Sequence, residues 1–235
     1  MRQFHALLIS LALGLGLGGT TARAEGPVVV ELYTSQGCSS CPPADRLLRD
    51  LSLRSDVIAI ALHVDYWDYI GWADSFADPR FTRRQKAYAR AAGHGTVYTP
   101  QFVVNGTDHV VGTRPEELVA SIANQHDRPH PVVLEAERHG GALRIHAVAE
   151  APGHGFLVQL VRIDPGHTVE ITRGENAGHT LTYSRIATDW EVLAEWSGEA
   201  PLEIETAIAG DASAVVIVQS LGMGAIAAAL ELPVD

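Results

Sequence analysis

The chain has 235 residues, 46% of them hydrophobic, enough apolar material for a sizeable core in one large or two modest domains. Its 17 Lys and Arg stand against 28 Asp and Glu; without the leader described next, which holds Arg2 and Arg23, the balance is 15 against 28, or −13. A chain so acidic repels phosphate backbones and anionic membrane surfaces, which argues against a nucleic-acid partner.

Residues 1–24 carry Arg2, an apolar run from Ala6 to Leu17 and the small-residue end Ala22-Arg23-Ala24. This is the pattern of a secretory signal peptide cleaved before Glu25. The run is shorter than the ~20 residues of a membrane span, so the expected product is exported to the periplasm or secreted, with no stable membrane insertion after cleavage. Disulfides persist in such a compartment.

From Pro27 onward short β-branched runs alternate with helical patterns. Val28 to Tyr33 reads as a strand, and Ala44 to Leu53 spaces Leu47, Leu48 and Leu51 helically. Val57 to Val64 is a nearly continuous apolar strand, as expected where both sheet faces are covered. Asp78-Pro79 reads as N-cap and first position of a helix that ends at Gly93. Gln101 to Val104, Asn105-Gly106 and His109 to Val111 form a hairpin signal. Thr113, with Glu116 three residues on, opens a last helix to about Gln125. The predicted order is β-α-β-α-β-β-α.

Beyond Asp127-Arg128-Pro129 the texture changes to short alternating segments: Val132 to Glu137, Leu143 to Ala149, Phe156 to Ile163, Thr168 to Ile171, His179 to Ile186, Glu191 to Trp196, Leu202 to Ile208 and Ala214 to Gln219. Gly140-Gly141, Pro152-Gly153 and Asp164-Pro165-Gly166 punctuate them. This pattern predicts an all-β sandwich. Alanine in Ala225 to Leu232 favours helix by propensity.

The chain has two cysteines, too few for a disulfide scaffold or a four-cysteine zinc site, so Cys38 and Cys41 are read as a pair. Cys38-Ser39-Ser40-Cys41 follows a predicted strand and opens a predicted helix, where free backbone N–H groups and the helix dipole favour a thiolate on Cys38. A thiolate attacks disulfides, and a second cysteine three residues on can resolve the mixed disulfide. A structural bridge and a metal-ligand pair are the competing readings. The eleven histidines show no paired zinc spacing.

The strand, the C-x-x-C and the later run Thr99-Pro100-Gln101-Phe102-Val103-Val104-Asn105-Gly106 resemble the thioredoxin fold, and Val30 to Thr34 resembles its glutaredoxin branch. The resemblance implies that Cys38 attacks, Cys41 resolves, and Thr99 with a cis Pro100 positions an extended substrate segment by strand addition. It also places Glu31 near the buried acid that relays protons in thioredoxins. Over nearly its whole length the chain further resembles a family of exported bacterial thioredoxin-like proteins of uncharacterised function. The marks are Glu31 to Asp45, which contains Cys38-Ser39-Ser40-Cys41-Pro42-Pro43, then His63 to Tyr69, Tyr98 to Gln101, and Arg173-Gly174-Glu175-Asn176-Ala177-Gly178.

Parallel strands end at one sheet edge, which puts His63 and Asp65 near the cysteines as supporting residues. Trp67 and Trp72 lie in an aromatic loop between the second strand and the next helix and are candidates for a substrate groove. Pro42 disfavours helical backbone at Cys41, which suggests a later helix start. Arg173 to Asn176 reads most simply as a turn. The fold class expected is an α/β thioredoxin-like domain over residues 25–128 followed by a smaller, all-β, sandwich-like domain over 129–235. The function expected is thiol–disulfide exchange on protein or small-molecule thiols or disulfides, with no cofactor. The rivals are a copper(I) carrier using Cys38, Cys41 and His63, since soft thiolates select that ion, and a non-catalytic binding module.

Overall fold

The computed structural model describes residues 26–139, 141–151, 155–208 and 213–232. The predicted signal peptide and its cleavage point, Gly140 and the Pro152-Gly153 turn lie outside them. The first seven elements follow the predicted order: β1 (Val28–Thr34), α1 (Pro42–Leu51), β2 (Val57–His63), α2 (Pro79–Ala91), β3 (Gln101–Val104), β4 (Asp108–Val111) and α3 (Pro115–His126). A short 3-10 turn, Asp68–Ile70, interrupts the loop after β2. Seven strands follow in one run: β5 (Val132–His139), β6 (Ala142–Ala149), β7 (Phe156–Glu170), β8 (Thr180–Trp196), β9 (Leu202–Ala207), β10 (Ser213–Ser220) and β11 (Ile226–Leu232), the last formed by the alanine-rich stretch whose propensity favours helix.

Local chemistry accounts for several boundaries. Asp78 accepts a hydrogen bond from the Arg80 backbone N–H at 2.7 Å and caps α2. Asn105 and Gly106 take φ of 49° and 79°, the left-handed backbone that a tight hairpin demands. Helix α1 begins directly after Cys41, earlier than expected, with Pro42 at its first position and Cys41 already helical at φ −79°, ψ −35°. At α3 the predicted Thr113 capping box does not form; Arg114 occupies the N-cap without a side-chain cap.

The expected pairing of a thioredoxin-like α/β domain with a small β sandwich is overturned by the strand order. β11-β10-β7-β8-β2-β1-β3-β4 make a single mixed sheet of eight strands, and β5-β6-β9 make a separate sheet of three. The seam is narrow: β8 runs parallel to β2, with Ile186 opposite Ala61. The Arg185 side chain reinforces it, donating from Nε to the Ala59 carbonyl at 3.0 Å and pairing with Glu231 at 2.6 Å. Neither half closes on itself. Alternation shows that a segment is a strand, but it does not say which strand lies beside it.

The large sheet bends over on itself. Val29, Tyr33, Ile58, Ile60, Leu62 and Val103 pack against Val161, Ile163, Val215, Ile217 and Ile226 in one core, with Phe81 and Tyr88 of α2 at its side. At the bend's far end the Ile226 N–H reaches the Asn105 carbonyl at 2.9 Å. The opposite face of β1 and β3 packs on α1 and α3 through Val30, Leu32, Phe102, Leu48, Leu118 and Ile122. The opposite face of β7 and β10 packs on the three-stranded sheet through Val158, Val216, Leu143 and Ile145. β10 is therefore apolar on both sides, whereas β9 alternates and leaves one face to solvent.

Between the two arms of the bend lies Arg84. Its guanidinium grips Glu31 of β1 with two bonds of 2.8 and 2.9 Å, reaches Gln159 of β7 and Gln219 of β10, and lies 4.0 Å from the centre of the Trp190 ring. Tyr33 and Tyr88 donate to the same carboxylate. Removing one partner of a buried ion pair strands the other charge and costs about 3–5 kcal/mol. Arg84→Ala is therefore expected to lose stability on that scale in denaturant unfolding, and Glu31→Gln with Arg84→Met to recover most of it; a loss below about 1 kcal/mol in the single variant contradicts this role.

Candidate functional site

β1 and α1 are joined by Ser35 to Cys41, and in this loop Cys38 and Cys41 are bonded to each other, with Cα atoms 5.4 Å apart. Neither cysteine is exposed; the intervening Ser39 and Ser40 are on the surface. The Cys38 sulfur lies 3.4 Å from the Ser40 hydroxyl. Cys41 is the helix N-cap, and its carbonyl accepts from Ala44 and Asp45. The expected supply of free N–H groups is reduced, because Pro42 and Pro43 have none. Ser40 is thus the neighbour placed to donate to a Cys38 thiolate.

Cys38 is buried because a distant segment covers it. The turn between β7 and β8, read from sequence as a plain turn, folds over the cysteine loop. The Asn176 side-chain amide donates to the carbonyls of Gln36 and Cys38 at 2.9 and 3.0 Å, and Asn176 is itself buried. The exposed Glu175 carboxylate accepts from the Ser39 N–H at 3.1 Å. That bonding to Ser39 holds the Glu175 carboxyl below its ordinary range. Gly174, at φ +77°, brings the backbone against Trp72, whose ring N–H donates to the Gln36 side chain at 2.8 Å. A glycine, an acid and an asparagine in a surface turn were the available signal, but nothing local to them names Cys38 as the target.

The other expected residues divide. The Thr99–Pro100 bond is cis and Pro100 is buried. The Trp67 ring N–H donates to the Thr99 hydroxyl at 2.8 Å, and Trp67 also touches Gly37, so Trp67 spans the space between the Thr99-Pro100 segment and the cysteine loop. His63 is wholly buried beneath that loop. Its Nδ1 lies 2.7 Å from Asp74, and Phe76 and Tyr183 meet its ring edge to face. Asp74 also accepts from the Gln36 N–H at 2.8 Å, which ties His63 to the loop ahead of Cys38. Asp65 is directed elsewhere, to Thr82 of α2. Glu31 is fully buried and is taken by Arg84.

Asp45, not singled out in the sequence, is the acid nearest in the chain to Cys41 on α1, and it is buried with Oδ1 accepting from Thr34 at 2.7 Å. Burial pushes its carboxyl up to about 6. Among the described residues, no group of three or more His, Cys, Asp or Glu side chains is arranged to hold a metal ion, and no helix is long and apolar enough to cross a membrane.

Two hydrogen bonds from one buried amide are each worth about 1 kcal/mol, so the cover over Cys38 is openable and Asn176 sets much of its closure. Asn176→Ala is expected to speed reduction of the disulfide by dithiothreitol about tenfold or more, measured by thiol release. An unchanged rate would mean that the turn does not limit access.

Comparison with known proteins places this geometry in context. The structure of a protein from Agrobacterium tumefaciens, solved in a structural-genomics programme, is 30% identical, with 91% of this chain and 97% of that chain covered at a TM-score of 0.77. HBP35 of Porphyromonas gingivalis is similar in fold alone, at 14% identity and a TM-score of 0.59 over 90% of this chain and 76% of that one. No curated protein matches. The family model for DUF1223, a protein family of unknown function, matches residues 29–219. The chain belongs to the DUF1223 family.

Proposed function

We propose that this protein is an exported thiol–disulfide exchange protein acting through Cys38 and Cys41 on thiol- or disulfide-containing proteins or small molecules. The observation that carries the reading is the bonded pair itself, set at a helix start beneath a turn whose Asn176 and Glu175 hydrogen-bond to the cysteine loop. A bridge spanning three residues closes so short a loop that it contributes only about 2 kcal/mol by chain entropy. A core this extensive gains little from such a staple, whereas exchange needs two sulfurs within bonding distance. Cys38 is the attacked and attacking sulfur, since the exposed Ser40 hydroxyl lies beside it; Cys41, at the helix cap, is the resolving one. Thr99 and Pro100, reached through Trp67, line the approach for an extended substrate, with Trp67 and Trp72 as its walls. The secretory leader pattern supports action in the periplasm or outside the cell, where such pairs cycle.

Copper(I) carriage by Cys38, Cys41 and His63 is the weaker reading, since His63 is turned to Asp74 and boxed by aromatic rings. Exchange and carriage separate in one variant. Cys41→Ser leaves the attacking thiol and removes the resolving one, so in the exporting cell it is expected to accumulate a mixed disulfide with a partner through Cys38, while the double variant lacking both cysteines traps nothing. No trapped species, together with tight copper(I) binding lost in His63→Ala, would replace exchange with carriage.

A further inference from the structure

Exchange at a buried pair raises a proton problem. When an incoming thiolate attacks the Cys38 sulfur, a new S–S bond forms, the Cys38–Cys41 bond breaks, and Cys41 departs with the electron pair. Cys41 has no exposed surface, so its thiolate cannot be neutralised directly by bulk water, and an unpaired buried anion is costly. In the reverse direction the Cys41 thiol must lose its proton inside the protein before it can attack a mixed disulfide on Cys38.

We propose that Asp45 is the proton donor and acceptor for Cys41, exchanging with solvent through the cavity between α1 and β8. The proposal rests on the exchange reading above and assigns a role within it. Asp45 lies four residues after Cys41, on the same side of the helix, and its backbone N–H donates to the Cys41 carbonyl at 3.1 Å. Its Oδ2, the Nε2 of His63 and the hydroxyl of Tyr183 are all buried, and none has a hydrogen-bond partner. These three groups neighbour one another: the His63 and Tyr183 rings are 5.0 Å apart, and the charges of Asp45 and His63 act on each other. Buried polar atoms are almost always satisfied, so three together mark a place where the protein forgoes stability for another end.

A cavity of about 150 Å³ reaches this cluster, lined by Asp45, Arg46 and Arg49 of α1 and by Thr180 to Tyr183 of β8. Arg46 and Arg49 are exposed and mark the solvent side of the route. The groups facing the Asp45 carboxyl are Thr34 from β1, His63 from β2, Asp74 from the loop before α2, Arg46 from its own helix and Tyr183 from β8. Burial and the charge of Asp74 hold the proton on, while His63, Thr34 and Arg46 work the other way. A carboxyl poised near neutrality can both give and take a proton.

The test is the pH dependence of disulfide reduction by dithiothreitol on the full mature chain. One dithiothreitol thiolate attacks Cys38, Asp45 protonates the departing Cys41, and the second dithiothreitol thiol closes its own ring, releasing Cys38; the reagent loses the two electrons that the pair gains. With the rate divided by the thiolate concentration of the reagent, the wild type is expected to be fast below about pH 6, where Asp45 holds its proton. It should then slow about tenfold or more as pH rises through that point. Asp45→Asn keeps an acceptor for Thr34 and is expected to give a flat, slow profile, while Asp45→Glu restores an inflection. A native near-ultraviolet dichroism spectrum confirms that each variant is folded. Matching profiles in the wild type and Asp45→Asn would overturn the proposal. The outcome is independent of the natural partner: a flattened profile without any trapped species from Cys41→Ser supports the proton role and removes the exchange reading, and a trapped species with unchanged profiles does the reverse.

Discussion

The Arg84–Glu31 pair is the constraint on which the arrangement depends. A bent sheet brings two apolar faces together, and bending alone fixes neither their separation nor their register. Arg84 touches β1, β7, β8 and β10 through Glu31, Gln159, Trp190 and Gln219, so its planar fork sets how the two arms meet. A buried charge is tolerated because the carboxylate accepts from Arg84, Tyr33 and Tyr88 together. Arg80 of the same helix pairs with Asp189 of β8, so α2 fastens the second arm at two points.

That fastening makes the cysteine site composite. The disulfide belongs to the β1–α1 loop, but its cover belongs to the tip of the long β7–β8 hairpin, which reaches the loop because β8 is seated beside β2. Gly166, at φ +149°, allows the hairpin strands to close where its backbone meets the Tyr183 carbonyl, and the same strand segment supplies Tyr183 to the cavity between α1 and β8. Access to one cysteine and the surroundings of the other thus both come from β8 and its turn. Polar contacts at an exposed turn open at far lower cost than a packed core, so the cover can move while the sheet holds.

Much of the local structure was legible. The apolar periodicity of β1, the Asp78-Pro79 helix start and the Asn105-Gly106 turn each encode their geometry within a few residues, and the helix after the C-x-x-C places the pair in a β–α loop. What was hidden is non-local. Glu31 reads as a relay acid in an apolar strand until Arg84, 53 residues on, is seen to hold it. Asp164-Pro165-Gly166 reads as a turn, yet β7 passes through it. Ile226–Leu232 is alanine-rich, but pairing with β10 overrides helix propensity. Asn176 and Asp45 carry no signal by spacing alone, because the first matters through a segment 138 residues away and the second through burial. The run of apolar residues in β2 did announce a strand covered on both faces; that β8 lies beside it could not be read from it.

The most direct measurement of the central claim is the reduction potential of the Cys38–Cys41 pair, obtained by equilibrating the purified protein with dithiothreitol or glutathione redox buffers and quantifying free thiols. An exchange protein is expected to fall within the range of known exchange catalysts, roughly −120 to −270 mV. A potential below roughly −300 mV, the range of structural disulfides, would contradict the account.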